Sequence, residues 1–313
     1  MGTPEFAVET LKALVENDYN VVAVVTQPDK PVGRHQTEMQ PSQVKQYAVA
    51  HGLPVLQPEK MKDPEFVEQL RSYNANLQVV VAFRMLPEVV WAMPEYGTFN
   101  VHAALLPQYR GAAPINWAVI NGETQTGVTT FFLDHDIDTG RIILKKTFDI
   151  PDEADVEYVY DGLMHLGAEI CLETLEAIIA ANGHPDSIPQ DSVLDGSAIK
   201  LAPKIFKETC EIDWKKTAKQ VYDFVRGLSP YPGAWTTLVA PDGKETVLKI
   251  YKTRKTGKPG KGVGTITIEG KALCVSAADE QLEIVELQLA GKKRMMARDF
   301  LNGMKQIEDY RVK

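Results

Sequence analysis

Val79-Val80-Val81-Ala82-Phe83 decides the fold of the N-terminal half. A short run of β-branched and apolar side chains without polar alternation is the pattern of a strand covered on both faces, as in parallel sheets. A second such run, Val21-Val22-Ala23-Val24-Val25, lies upstream, and residues 41–51 and 63–73 between the two read as helices. Downstream, strands are expected at 98–101, 127–133 and 141–150. This alternation predicts an α/β domain with a Rossmann-like, open, mostly parallel sheet and helices on both faces. Val156, Val159, Leu163, Leu166 and Ile170 then advance by three and four, so a long amphipathic helix follows, to about residue 181. At the start, Met1-Gly2-Thr3-Pro4-Glu5 reads as a strand-to-helix turn, with Thr3 as N-cap, Pro4 at the first helical position and Glu5 favourable to the helix dipole. A turn of this kind follows a strand. The first strand of the sheet is therefore expected just before Met1, because a sheet without a central member would leave two edges unpaired.

Beyond the long helix, periodicity fades and Gly, Pro, Asp and Ser accumulate, so 182–202 reads as a linker between a domain at 1–181 and another at 203–313. In the second domain, residues 214–227 read as a helix with Val221, Phe224, Val225 and Leu228 on its apolar side. Five short strands follow, at 235–239, 247–253, 264–268, 272–275 and 282–287, a spacing that predicts a small OB-like β-barrel. Charge divides at the same place. The chain of 313 residues carries −8 in all, but residues 1–199 hold 12 basic against 28 acidic side chains (−16), and residues 200–313 hold 22 against 14 (+8). Attraction to a polyanion depends on local charge, so the basic half suits phosphate contact although the whole chain is acidic; a Lys-rich solvated surface gives the same count.

Other classes are excluded by composition. Hydrophobic residues at 44% and charged residues at 24% fit a globular chain, not a disordered or fibrous one. No apolar stretch approaches the ~20 residues needed to span a bilayer, and the start lacks the layout of a signal peptide, so a soluble, cytoplasmic protein is expected. A single polar surface and two modest domains suit a monomer. Cys171, Cys210 and Cys274 are spaced for neither a disulfide scaffold nor zinc, and no His/Cys/Glu cluster has ligand spacing, so no metal is expected. Gly260-Lys261-Gly262-Val263-Gly264 does not join a strand to a helix and reads as a hairpin connection, not a phosphate loop.

The densest polar constellation is Asn100-Val101-His102, followed by Leu105-Leu106-Pro107 and Arg110-Gly111-Ala112-Ala113-Pro114-Ile115. Asn100 and His102, two apart on a strand, share one face near its C-terminal end, where α/β sheets bind ligands. An imidazole exchanges protons near neutral pH and a carboxamide donates to developing oxyanion charge, a pair suited to acyl transfer; a lone strand-end His is also an ordinary structural residue. Asp134-His135-Asp136-Ile137-Asp138-Thr139-Gly140 lies between two expected strands, where a carboxylate could orient His102. Its alternating aspartates are not a calcium loop, because Thr139 and Lys145 stand where an EF-hand needs Gly and Glu.

Asn100-Val101-His102 with Leu105-Leu106-Pro107 and Asp138-Thr139-Gly140 resembles the signature of the folate-dependent formyltransferase family. The resemblance covers nearly the whole chain. Met1 to Ala7 is similar to the family's first loop, and Thr26-Gln27-Pro28-Asp29-Lys30-Pro31-Val32-Gly33-Arg34 to its second. Ala202-Pro203-Lys204-Ile205, Ile212-Asp213-Trp214, Pro230-Tyr231-Pro232-Gly233-Ala234 and Gly291-Lys292-Lys293-Arg294-Met295 are similar to its C-terminal domain. The resemblance implies Asn100, His102 and Asp138 as the catalytic set. It further implies 10-formyltetrahydrofolate as co-substrate, held by Phe83, Arg84, Met85 and Leu86 and by Ala104, Leu105, Leu106 and Pro107. The implied acceptor is the α-amino group of methionyl initiator tRNA, contacted by Arg34, Lys204, Lys207, Lys292, Lys293 and Arg294. In the implied reaction Asn100 and His102 stabilise charge on the formyl oxygen while Asp138 polarises His102.

The chain departs from the family pattern at three places. Ala104 stands where a Ser is usual, Phe83-Arg84 replaces an aromatic-Gly pair, and His35-Gln36-Thr37-Glu38 follows Arg34 where several basic residues are usual. Two rival readings remain: a formyl-folate enzyme acting on a small amine, such as a ribonucleotide or sugar nucleotide, and a non-catalytic RNA-binding protein using Tyr251 for base stacking.

Overall fold

In the computed structural model, which describes residues 1–32, 38–194, 196–304 and 306–313, the run at Val79 is a strand with a parallel neighbour. The chain divides into two compact units. One holds residues 1–111, 125–149 and 160–201, the other 112–124, 150–159 and 202–313. Two stretches of the N-terminal half thus belong to the same unit as the C-terminal residues.

The first unit starts with α1 (Glu5–Glu16), β1 (Val24–Val25), α2 (Gln43–Ala50), β2 (Val55–Leu56), α3 (Pro64–Ser72), β3 (Gln78–Val81) and β4 (Thr98–His102). Local chemistry sets the helix starts: Ser42 accepts from the Lys45 amide to cap α2, and Asp63 accepts from the Glu65 amide to cap α3, with Pro64 in its first turn. At α1 the cap residue is Pro4, and Thr3 does not act as one; its hydroxyl lies 3.5 Å from that of Thr26. Of the run at Val21, only Val24 and Val25 are paired, in parallel with β2. Gly2 donates to the Val25 carbonyl and Val81 to that of Met1, so the opening turn sits between β1 and β3, beside an apolar cavity of about 560 Å³ lined in part by Leu11, Leu14, Val21 and Val79.

β3 and β4 are parallel. The helix α4 (Pro114–Ile120) follows and lies in the second unit, after which β5 (Gln125–Phe132) and β6 (Ile142–Asp149) complete a four-stranded sheet in the order β3-β4-β5-β6. β5 pairs antiparallel with both neighbours, as it must with β6, because a short hairpin loop cannot join parallel strands. The long helix α5 (Val156–Ala180) buries Val156, Val159, Leu163 and Ile170 of the expected stripe, leaves Leu166 half-buried, and buries Ile178 further on. At Gly162 a Cβ would stand 2.2 Å from the Phe148 ring, so only glycine permits this approach of α5 to β6. No described helix is long and apolar enough to cross a membrane.

In the second unit, α6 (Ala218–Gly227) starts at a capping box made by Thr217 and Gln220, four residues later than expected, while Trp214 is buried with its indole nitrogen on the Thr236 hydroxyl at 3.0 Å. β7 (Ala234–Val239), β8 (Glu245–Pro259), β9 (Ile266–Glu269), β10 (Ala272–Ser276), β11 (Glu280–Leu289), β12 (Met295–Met296), α7 (Ala297–Gly303) and β13 (Arg311–Val312) follow. The antiparallel sheet runs β9-β10-β11-β8-β7-β13, with β12 on β11. It curls until its ends meet, where Val312 donates to the Gly264 carbonyl and Thr265 bridges Arg311. Val221 and Val225 of α6 join Leu248, Ile250, Leu282 and Ile284 in the core. The segment 260–264 joins two strands, β8 and β9.

Candidate active site

Along β4, Phe99 and Val101 are buried, while Asn100 and His102 alternate onto the other face. Opposite Asn100 on β5 is Phe131 and opposite His102 is Thr129. Phe131, Leu106 and Ile142 form a closed apolar cluster, with the Phe131 ring edge-on to the imidazole at 6.3 Å. Apolar surroundings of this kind strengthen any polar interaction made there. The loop after β4 is fixed by Thr129, whose hydroxyl donates to the Ala104 carbonyl at 2.6 Å and accepts from the Leu106 amide at 3.1 Å.

His102 Nε2 lies 3.0 Å from the carbonyl oxygen of Tyr109. A carbonyl can only accept, so Nε2 carries the proton and Nδ1 of the neutral ring is left with a lone pair. That lone pair faces Asp138, whose Oδ2 stands 3.9 Å from Nδ1, beyond hydrogen-bond length. The carboxylate is held by the Gly111 amide at 3.0 Å. Ring orientation thus comes from Tyr109, and the carboxylate supplies charge at a short remove. Asn100 Oδ1 is buried with no hydrogen-bond partner among the described residues. An orphaned buried carboxamide oxygen typically costs ~1–3 kcal/mol. Oxygen only accepts, so donation to developing negative charge falls to Asn100 Nδ2.

The other expected site residues fall into two groups. Phe83 to Leu86 follow β3 and Ala104 to Pro107 follow β4, so both loops leave the C-terminal ends of adjacent parallel strands. Phe83 and Leu86 pack on the apolar cluster around Phe66 and Val90, and Ala104, Leu106 and Pro107 are buried. The Arg84 guanidinium is engaged by the carbonyls of Pro58 and Glu59. Met85, at 71% exposure, and Leu105 remain open to a ligand. In the second unit, Lys204, Lys207, Lys292 and Lys293 are exposed, with Lys204 5.5 Å from the Phe206 ring centre. Arg294 is committed: it forms a two-pronged pair with Glu286 at 2.6 and 2.8 Å and lies 4.1 Å over the Tyr251 ring, so both Arg294 and the aromatic considered for stacking are occupied. Arg34 lies outside the described residues. Among the described residues no group of three His, Cys, Asp or Glu is placed to hold a metal ion. Cys171 is fully buried and its thiol is pushed up to about 12 by that burial, as suits core packing.

Four groups escaped sequence reasoning: Thr129, the Tyr109 carbonyl, the Gly111 amide and Gln190. Tyr109 and Gly111 serve through backbone atoms, and the contacts of Thr129 and Gly111 span more than 20 positions, so no side-chain motif announces any of the three. Gln190 lay in a stretch read as linker, yet it is 2% exposed and bonded to Arg110 and to the Asp138 turn.

Two family models match the chain: formyl transferase over residues 1–175 and formyl transferase, C-terminal domain, over 204–305. The chain is 59% identical over 317 aligned residues to the methionyl-tRNA formyltransferase of Parabacteroides distasonis, covering all of this chain and 97% of that one. It is 55% identical over 315 residues to that of Bacteroides fragilis, covering all of this chain and 96% of the relative. Among solved structures, WlaRD, a sugar 3N-formyl transferase crystallised with dTDP and 5-N-formyl-THF, shares the fold with a TM-score of 0.63 at 19% identity, over 93% of this chain and 97% of that one.

Proposed function

Because this chain belongs to the formyl transferase family and is a formyl-transferring enzyme, we propose that it moves the formyl group of 10-formyltetrahydrofolate to the α-amino group of methionyl initiator tRNA, and that Asn100, His102 and Asp138 carry the chemistry. The observation that supports this acceptor is the 59% identity, sustained over the whole chain, to a methionyl-tRNA formyltransferase. The folate supplies the formyl carbon, whose bond to the folate nitrogen is exchanged for one to the methionine nitrogen. The residues present suit such a ligand: a carboxamide that can donate through Nδ2, an imidazole whose Nδ1 makes no hydrogen bond among the described residues, and two loops at adjacent strand ends.

Asn100 meets the negative charge that develops on the formyl oxygen. His102 has its Nε2 proton on the Tyr109 carbonyl, so in place of the oxyanion role that the family resemblance implies it takes the proton of the attacking amine at Nδ1 and returns it to the departing nitrogen. Asp138, 3.9 Å away, stabilises the imidazolium in the interval. Phe83, Arg84, Met85, Leu86, Ala104, Leu105, Leu106 and Pro107 line the folate, most through their backbone and Met85 and Leu105 through their side chains. Lys204, Lys207, Lys292 and Lys293 contact tRNA phosphates, and residues 1–181 and 203–313 divide the folate chemistry from the RNA contact. The test is formylation of charged initiator tRNA by the purified protein and 10-formyltetrahydrofolate, beside a sugar-nucleotide amine. Formyl-methionyl-tRNA is the expected product; formylation of the small amine alone would move the assignment to that class.

A further inference from the structure

Gln190 lies in a single turn of 3-10 helix, Gln190–Val193, outside the catalytic set. Its carboxamide is nevertheless saturated. Nε2 donates to the carbonyls of Asp138 at 2.8 Å and Gly140 at 2.9 Å, and Oε1 accepts from Arg110 Nε at 3.0 Å and Nη2 at 2.7 Å. Two donors and two acceptor sites are all a carboxamide has, and every one is directed at the turn that presents Asp138 or at the arginine that locks the glutamine. The turn requires this: Asp138 adopts a left-handed backbone, φ 56°, and Gly140 passes so close to the Phe132 carbonyl that a Cβ would lie 1.6 Å from its oxygen. The dipeptide Arg110-Gly111 closes the arrangement, one residue holding Gln190 and the next, through its amide, holding the Asp138 carboxylate.

We propose that Gln190 is a positioning residue that sets the distance between Asp138 and His102 through this clamp, an inference that rests on the formyl-transfer reading of the same site. Gln190→Glu isolates the role, since a carboxylate still accepts from Arg110 but cannot donate to two carbonyls. Gln190→Met, of similar volume and uncharged, serves as the second variant should the first fail to fold. Displacing a catalytic group by about 1 Å can cost up to ~100-fold. In the full-length protein, either variant is expected to lower kcat about ten- to hundredfold. KM for both substrates should stay within about twofold. In an Asp138→Asn background, Gln190→Met should add little, because the group it positions is already disabled. Hydrogen exchange supplies an arm that does not depend on formylation: amides 136–140 should exchange faster in the variants. A wild-type kcat in the variants, a fully additive loss with Asp138→Asn, or unchanged exchange at 136–140 would overturn the inference. A wild-type protein that formylates no tRNA while the variants show faster exchange would instead count against the assigned reaction, and leave the clamp standing.

Discussion

Two polar clusters, one in each unit, are built to opposite plans. In the second unit, Asp223 and Arg226 on α6 are both about 95% buried, and each charge is answered. Asp223 accepts from Arg226 Nε at 2.8 Å and from Lys219 at 2.7 and 2.6 Å; Arg226 also donates to the Ala154 carbonyl at 2.8 Å, and the Tyr222 hydroxyl reaches the Asp152 carbonyl at 2.9 Å. That closed network fastens residues 150–159 to α6 and explains why they group with the C-terminal residues. In the first unit, among the described residues, Asn100 Oδ1 has no hydrogen-bond partner, and His102 and Asp138 face each other at 3.9 Å without a hydrogen bond. A saturated cluster serves shape, whereas an unsaturated one sacrifices stability to keep polar groups ready for a substrate.

The closed cluster is the place for the largest effect on stability. Arg226→Met would leave the Asp223 carboxylate buried with Lys219 alone, and breaking a buried pair typically costs ~3–5 kcal/mol, a large share of the ~5–15 kcal/mol that stabilises a domain. A marked fall in the urea midpoint of the full-length protein is expected, with turnover of the folded fraction unchanged. Replacing both partners, Asp223→Leu with Arg226→Met, should recover much of the loss, because no uncompensated charge then remains. A single variant as stable as the parent would show that the cluster is not closed in solution.

The open cluster predicts the reverse signature. Asn100→Ala removes a carboxamide whose oxygen has no hydrogen-bond partner among the described residues, so the unfolding midpoint should hold, while the loss of its Nδ2 as an oxyanion donor is typically worth ~2.7–4 kcal/mol, or about 100- to 1000-fold in kcat. Steady-state kinetics with denaturation of the same preparation test both halves. Normal turnover, or a collapse of stability with kcat intact, would assign Asn100 to structure.

The two plans were not equally legible in the sequence. Strand and helix periodicity located β3, β4, α3 and α5 to within a few residues, because burial on fixed faces leaves a local pattern. The catalytic strand could be read as well, since Asn100 and His102 break an apolar run with polar groups on one face. What sequence reading missed depends on distance along the chain. Nothing near Gln190 indicates that residues 50 positions upstream accept its hydrogen bonds, and nothing in 112–124 or 150–159 indicates that α6 will claim them. The antiparallel turn of the sheet at β5 and the start of α6 at Thr217 are different. The nine-residue gap before β6 and the Thr-x-x-Gln box were both visible, and either could have corrected the reading.

The smallest effects carry the same contrast onto the basic surface, where Lys292, Lys293 and Arg294 are neighbours in sequence but not in electrostatics. Arg294 is paired with Glu286 on both prongs and stacked on Tyr251, and the Glu286 contact holds its guanidinium above the usual arginine range. A guanidinium already neutralised by a carboxylate displaces few of the counterions condensed on a phosphate backbone. Lys292 and Lys293 are exposed and carry no ion pair among the described residues. Each lysine that meets a phosphate contributes about 0.9 to the slope of log K against log salt on duplex nucleic acid, less on single strands. Lys292→Ala and Lys293→Ala should therefore each weaken tRNA binding modestly and flatten that slope by just under one unit. Arg294→Ala should leave the slope nearly unchanged, and loosen instead the contact between β11 and the segment before β12. Binding titrations of charged tRNA at several salt concentrations separate the two. An equal flattening for Arg294→Ala would mean that the Glu286 pair opens on binding, which would place Arg294 with the open groups of the molecule instead of the closed ones.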